Sequence, residues 1–172
     1  GDVSNNNGNS DFWIVKLDYN GNIQWEKNFG GSSYEGLNSL QQTSDNGYIL
    51  GGVSRSNDGD VSANNGNSDF WIVKTDQLGM LEWERNFGGS NNESINSLQQ
   101  TNDGGYILGG NSSSNDGDVS NNNGSNDFWV IKTNSFGTIL WEKNFGGSSY
   151  EELNSLQQTN DNGYILGGST SS

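Results

Sequence analysis

Residues 11–52 read DFWIVKLDYNGNIQWEKNFGGSSYEGLNSLQQTSDNGYILGG, and this stretch determines how the chain folds. The same pattern begins again at Asp69 and at Asp127, a spacing of 58 residues without insertion or deletion. Self-similarity at tens of residues is typical of arrays in which one supersecondary unit buries its apolar face only by packing on its neighbours. The sequence therefore predicts one array of three repeats, which span residues 1–58, 59–116 and 117–172.

Each repeat contains two hairpin patterns. The first joins Phe12–Asp18 to Ile23–Phe29 through an Asn-Gly turn, a dipeptide that favours tight hairpins because glycine accepts positive φ. The second joins Leu37–Thr43 to Tyr48–Gly52 through Asp and Gly, where glycine is expected to take the left-handed conformation. No segment has helical periodicity and the chain contains no proline. The sequence thus predicts an all-β chain with four antiparallel strands per repeat.

Four-stranded units that recur at this spacing are typical of β-propeller blades, whose two faces pack against neighbouring blades. Phe12–Asp18 is apolar on both faces, which indicates a strand that is covered on both sides. We therefore expect three blade equivalents that form part of a larger or oligomeric closed ring. An open solenoid of stacked hairpins is the alternative, because it has the same periodicity.

Composition limits the function classes. The net charge of -14, from 21 acidic and seven basic residues, argues against nucleic acid and anionic membranes as partners, since both require clustered Lys and Arg. No apolar run approaches the roughly 18 residues of a membrane-spanning helix. Cysteine and histidine are both absent, which removes disulfides, thiolate nucleophiles and the usual general base. We expect a non-enzymatic extracellular or cell-surface protein that requires no cofactor.

The repeat resembles a family of secreted and surface β-propeller repeats of bacteria, many of them from Bacteroidetes. The resemblance rests on the segments DFWIVKLD, NGN, FGGS and SLQQTxDxGYILGG, and it covers essentially the whole chain. It implies a strand order in each blade with the Leu37–Thr43 type innermost, followed by Tyr48–Gly52, Phe12–Asp18 and Ile23–Phe29. It implies a secreted location and no assigned activity.

The second hairpin also resembles the Asp box of sialidase-like propellers, a Ser/Thr-x-Asp-x-Gly-x-x-aromatic turn. Leu50, Leu108 and Leu166 stand where that motif has its aromatic residue, so we interpret the match as a turn without implied activity. The turn residues are Asp45, Gly47, Asp103, Gly105, Asp161 and Gly163.

The implied strand order makes the two ends of the chain complementary, because the first strands are the outer pair of a blade and the last strands are the inner pair. Three blades do not close a ring, since propellers have about 4 to 8. One explanation is a homo-oligomer, in which two chains exchange strand pairs and give six blades. The other is that the segment belongs to a longer parent chain with further repeats.

A calcium site is one candidate for the loop that joins successive repeats. Its oxygen-bearing side chains have the spacing 1, 3, 5, 7 and 12 of an EF-hand-like loop, although Ala63 replaces the required glycine. The alternative is that Asp and Asn form Asx turns within the loop. The candidate ligands are Asp58, Asp60, Ser62, Asn64 and Asp69 in one copy, and Asp116, Asp118, Ser120, Asn122 and Asp127 in the next.

A glycan is the second candidate ligand. Aromatic and acidic residues occur together after the first hairpin of each repeat, although the middle repeat has Asn92 in place of tyrosine. The contact candidates are Tyr34, Glu35, Glu93, Tyr150 and Glu151. The sequence favours a structural scaffold for adhesion or assembly, with a multivalent carbohydrate-binding propeller or an engineered or excised repeat module as alternatives.

Overall fold

A computed structural model describes residues 1–3 and 5–172, and that part of the chain forms twelve β-strands and no helix. None of its elements is therefore a helix long and apolar enough to cross a membrane. The strands are β1 Phe12–Leu17, β2 Ile23–Phe29, β3 Glu35–Gln42, β4 Tyr48–Ser54, β5 Asp69–Thr75, β6 Leu81–Phe87, β7 Glu93–Gln100, β8 Tyr106–Ser112, β9 Asp127–Thr133, β10 Ile139–Phe145, β11 Glu151–Gln158 and β12 Tyr164–Thr170.

The strands form two complete sheets and two half-sheets. The complete sheets have the orders β3-β4-β5-β6 and β7-β8-β9-β10, whereas β1 pairs only with β2 and β11 only with β12. All pairs are antiparallel. Each complete sheet therefore combines the second hairpin of one repeat with the first hairpin of the next. This order agrees with the one that the family resemblance implies.

The first hairpin of each repeat ends in a bulged turn. Gly21 has φ 85°, and the β1-β2 register shifts between Lys16 and Leu17. The Asp18 carboxylate accepts hydrogen bonds from the backbone N–H groups of Asn20 at 2.8 Å and Asn22 at 2.9 Å. A type I turn followed by one left-handed glycine has this geometry, so only the glycine of the Asn-Gly pair needs positive φ.

The second hairpin corrects one sequence expectation. The left-handed residue is Asn46, with φ 68°, and not Gly47. A Cβ at Gly47 would lie 2.2 Å from the carbonyl oxygen of Thr75, so glycine is required here because the neighbouring strand passes too closely for any side chain. Asp45 accepts hydrogen bonds from the Gly47 N–H at 2.9 Å and the Thr43 hydroxyl at 2.5 Å. The turn therefore depends on side-chain hydrogen bonds as well as on backbone freedom.

Aromatic side chains fill the space between successive sheets. Phe70 of one complete sheet packs against Trp129 of the other, with ring centroids 4.6 Å apart. Phe12 and Trp71 make the equivalent contact one repeat earlier, also at 4.6 Å. Trp71 and Trp129 are fully buried, as expected of core residues, whereas Trp13 at the same repeat position is 43% exposed. The difference arises because Trp13 lies on a half-sheet.

The strands β3, β7 and β11, one from each repeat, are bridged by equivalent residues. The side-chain oxygen of Gln41 accepts a hydrogen bond from the backbone N–H of Gln100 at 2.6 Å, and Gln99 accepts one from Gln158 at 2.8 Å. Asn38 likewise donates to the carbonyl of Ile95 at 2.7 Å. The same side-chain hydrogen bonds therefore join each sheet to the next one along the chain.

Candidate functional site

The long loops between repeats lie on the same side of the sheets as the connections between β2 and β3. We call this side the loop edge, formed by residues 30–34 and 55–68 and their equivalents 88–92, 113–126 and 146–150. The backbone N–H of Asp60 donates to the carbonyl of Gly30 at 3.1 Å, and the N–H of Arg55 donates to the carbonyl of Tyr34 at 2.9 Å. Each loop is therefore hydrogen-bonded to the connection that precedes it.

The first two predicted calcium ligands of each loop bind backbone N–H groups. Asp58 accepts from Ser32 at 2.7 Å, which lowers the pKa of this exposed carboxyl, and Asp60 accepts from Gly30 at 3.1 Å. Asp116 and Asp118 repeat these contacts with residues 90 and 88 at 2.7 and 3.2 Å. These carboxylates therefore stabilise the connection beside them through long-range hydrogen bonds and do not form Asx turns of their own loop.

The remaining predicted ligands of the first loop have different surroundings. Asn64 accepts from the backbone N–H of Gly66 at 2.9 Å and donates to the carbonyl of Ser54 at 3.0 Å, and Asp69 accepts from Asn65 at 2.6 Å. Ser62 is exposed. Among residues 1–3 and 5–172, no three acidic side chains converge as metal ligands. Calcium binding by the loops stays a prediction.

In the second loop, Asn122 and Asp127 repeat the contacts of Asn64 and Asp69. Asn122 donates to the carbonyl of Ser112 at 2.9 Å, and Asp127 accepts from Asn123 at 2.7 Å. The Ser120 hydroxyl donates to Glu142. The hydrogen bonds of the asparagine and of the last aspartate are therefore the same in both loops.

A pair of carboxylates lies beneath each loop, although the sequence predicted its members as separate metal and glycan candidates. Asp69 is 0% exposed and Glu93 is 1% exposed. A Cβ at Gly88 would lie 2.5 Å from Asp69 Oδ1 and 2.7 Å from Glu93 Oε2, so both oxygens pack against the bare backbone of this glycine. The pairs Asp11–Glu35 at Gly30 and Asp127–Glu151 at Gly146 have the same arrangement. The recurring Phe-Gly-Gly-Ser segment was the available signal, because its first glycine makes room for the pair.

The Asp69 carboxyl is in an unfavourable environment for its charge. Burial raises the pKa of Asp69 to about 6, the Asn65 N–H acts against that shift, and the negative charges of Glu93 and Asp118 add to it. Asp69 Oδ1 has no hydrogen-bond partner, and the same holds for Oδ1 of Asp11 and Asp127. An uncompensated buried carboxylate destabilises the folded state.

The predicted glycan-contact glutamates point inward. Glu35, Glu93 and Glu151 are at most 4% exposed. Glu35 accepts from the backbone N–H of Gly31 at 2.8 Å and from the Ser54 hydroxyl at 2.9 Å, so both of its oxygens bind groups of its own repeat. They hold the loop edge together and are not surface groups.

The tyrosines of the same prediction remain accessible. Tyr34 is 41% exposed and Tyr150 is 47% exposed. The Arg55 guanidinium lies 5.3 Å from the centre of the Tyr34 ring. A cavity of about 270 Å³ is lined by Arg55, Asn92, Asn111, Asn126 and Tyr150, among other residues. Amide, guanidinium and aromatic groups around a shallow cavity can hydrogen-bond and stack on a small polar ligand.

No model of a known protein family matches this sequence, and no curated protein is significantly similar to it. The resemblance to bacterial propeller repeats stays a prediction.

Proposed function

We propose that the chain is a non-enzymatic β-propeller scaffold that acts in adhesion or assembly at the cell surface. The observation that carries this proposal is the side-chain bridging between the first strands of successive sheets, which recurs at the same repeat positions from Gln41 to Gln100 and from Gln99 to Gln158. One relation applied repeatedly to sheets stacked through their faces generates a closed ring when its rotation closes and an open filament when it does not. In the proposed propeller the rotation closes, so that β3, β7 and β11 surround a common axis and the four-stranded sheets are the blades.

The chemistry of the acidic residues supports a structural role. Burial acts to raise the pKa of Asp45, but hydrogen bonds from Thr43 and Lys74 outweigh burial and bring the value to about 2. The Thr101 hydroxyl and Lys132 have the same effect on Asp103, whose pKa is also about 2. A carboxyl that stays ionised and hydrogen-bonded to its own turn is poorly suited to proton transfer near neutral pH. A cysteine-free, strongly acidic composition fits an extracellular location.

Electron microscopy of a tandem fusion tests the scaffold proposal. A single polypeptide with two copies of residues 1–172 in sequence contains six repeats, which lies within the range of about 4 to 8 blades found in propellers. We expect particles in which six lobes surround a central axis. Extended rods would refute the propeller and favour the open solenoid.

Glycan binding is a second candidate, favoured by the cavity between Arg55 and Tyr150. A glycan microarray tests it, with the variant Tyr150→Ala and the matched control Tyr19→Ala, since Tyr19 is 97% exposed on a hairpin turn and does not line the cavity. Binding that the first substitution abolishes and the second leaves intact would support a lectin. Absence of binding to the array by the unaltered chain would count against it.

A further inference from the structure

We infer that a second copy of this chain completes both half-sheets, with β1 of one copy pairing antiparallel to β12 of the other in a single register. The inference deepens the proposed propeller scaffold and rests on it, because it names the partner that closes the ring. The two complete sheets already contain this junction, as β4-β5 in one and β8-β9 in the other.

The register follows from the two junctions inside the chain. In β4-β5, Leu50 lies opposite Val73, and in β8-β9, Leu108 lies opposite Ile131. The same register one repeat further along places Leu166 of one copy opposite Val15 of the other. Tyr164–Thr170 would then pair with residues 11–17, and the free hydrogen-bonding edges of both half-sheets would be occupied.

Two apolar faces that the repeat buries elsewhere are exposed at the ends of the array. Leu98 on β7 and Leu156 on β11 are each 7% exposed because β8 or its equivalent β4 lies against them in the preceding sheet, whereas Leu40 on β3 is 55% exposed, since the half-sheet that precedes β3 consists of β1 and β2 alone. On the half-sheet β11-β12, Ile165 is 61% exposed, although Ile49 and Ile107 are fully buried. The exposed face of β3 and the half-sheet β11-β12 therefore present apolar side chains that the repeat buries wherever a neighbouring sheet is present.

Glycines indicate which surfaces belong together. A Cβ at Gly51 would lie 3.0 Å from Leu98, and one at Gly109 would lie 2.4 Å from Leu156, so these glycines accommodate the leucine of the next sheet. Gly167 is the third glycine of this set, and a Cβ there would meet nothing closer than 4.0 Å. The side chain of Leu40 from a second copy fits the position that is open at Gly167.

An ion pair is also divided between the two half-sheets. Lys74 is 3% exposed and lies 2.9 Å from Asp45, and Lys132 lies 3.0 Å from Asp103. Their equivalents on the half-sheets are Lys16 and Asp161, which form no ion pair with each other or with another side chain in residues 1–3 and 5–172. The inferred register brings Lys16 of one copy to Asp161 of the other.

The first residues of the chain extend the same contact to the loop edge. Val61 and Val119 are 2% and 3% exposed, whereas their equivalent Val3 is 52% exposed. Asp60 and Asp118 each accept a hydrogen bond from the first glycine of a Gly-Gly pair. The equivalent contact joins Asp2 of one copy to the backbone N–H of Gly146 of the other.

The number of blades in a closed propeller limits how many copies of the chain it contains. Two chains contribute four complete sheets and two more that form at the junctions, which gives six, whereas three chains would give nine and exceed the range of about 4 to 8 blades. Both junctions are identical in a pair related by a twofold axis, so β1 and β12 of both copies gain a partner strand.

Light scattering and disulfide trapping test the pair and its register. At about 0.15 M salt, where charges are screened beyond about 8 Å, we expect the 172-residue chain to have twice its mass of 18.6 kDa. The chain has no cysteine of its own, so the variant Val15→Cys with Leu166→Cys should give a covalent dimer on non-reducing electrophoresis. The matched control, Val15→Cys with Ile165→Cys, should not, because neighbouring residues of a strand point to opposite faces.

The results of these experiments separate the dimer, its register and the scaffold from one another. A mass of one chain at about 100 µM, in the range where strong pairs would be fully formed, would overturn the inference. Equal or greater trapping by the control variant would overturn the register. A monomeric single chain together with six-lobed tandem particles would leave the scaffold proposal standing while this inference fails, whereas tandem particles that form rods would remove the scaffold itself.

Discussion

Replacing Leu98 by alanine should lower the free energy of unfolding by about 3 kcal/mol, within the range of buried leucine truncations. Leu98 is 7% exposed and packs against Gly51 of the preceding sheet. The matched variant is Leu40→Ala, because Leu40 has the same repeat position on β3 but is 55% exposed. Chemistry and backbone are the same at both sites, so only the presence of a neighbouring sheet differs.

The size of the difference follows from the exposed area. About half of the leucine surface, roughly 80 Å², is buried at Leu98 and accessible at Leu40, which corresponds to about 2 kcal/mol at about 25 cal/mol per Å². We therefore expect Leu40→Ala to cost about 1 kcal/mol in the single chain. The cavity left at Leu98 adds to the contrast, since the surrounding sheets relax only in part.

Urea unfolding followed by tryptophan fluorescence measures both variants, with linear extrapolation to water. The protein concentration should be one at which light scattering gives the mass of a single chain, so that Leu40 is not covered by a second copy. Equal losses for the two variants would refute the reasoning, because they would show that the sheet packed against Leu98 contributes nothing to its burial energy.

Three further predictions concern the buried carboxylates and the loops. The pKa of Asp69 is about 6 in the folded chain and 3.8 without its environment, so the folded state holds this proton more tightly and the chain should lose up to about 3 kcal/mol of stability as pH rises from 4 to 7. Asp69→Asn should lack that loss in urea titrations at both pH values, and an identical pH dependence for the two proteins would contradict the assignment. Gly88→Ala should lower the free energy of unfolding by about 2 kcal/mol or more, since the new Cβ would meet two carboxylates. The control Gly104→Asn should be nearly neutral, because asparagine has the same left-handed conformation at positions 46 and 162. Comparable melting temperatures for the two variants would argue against the carboxylate contact. If Asp58 and Asp60 act only as backbone acceptors, calcium at about 5 mM, above the range of weak extracellular sites, should produce no heat in calorimetry, and saturable binding that Asp58→Asn removes would establish the calcium prediction instead.

The features predictable from the sequence are those that depend on local pattern and period. Alternation and turn residues located the strands to within two residues, since Tyr48 begins β4 as expected and β3 begins at Glu35 in place of Leu37. Burial of Trp71 follows from its position on a strand that is apolar on both faces. These properties are encoded within one repeat.

The features that could not be predicted depend on contacts that the local pattern does not contain. We expected Glu35 to contact a ligand because it lies beside Tyr34 after the first hairpin, but its carboxylate accepts hydrogen bonds from the Gly31 N–H and the Ser54 hydroxyl of its own repeat. The requirement for glycine at Gly47 comes from a strand of the following repeat. Periodicity cannot distinguish Leu40 from Leu98, because only the neighbouring sheet makes them different.

The offset between repeat and sheet has a consequence for cooperativity. Because each repeat contributes two strands to one sheet and two to the next, the covalent connection between β2 and β3 joins two sheets, and so do the equivalent connections between β6 and β7 and between β10 and β11. Opening one sheet must therefore disturb halves of two repeats, which strengthens nearest-neighbour coupling relative to an array in which each repeat is its own sheet. Amide hydrogen exchange should accordingly report the two complete sheets as a single opening unit, with faster exchange confined to the terminal hairpins.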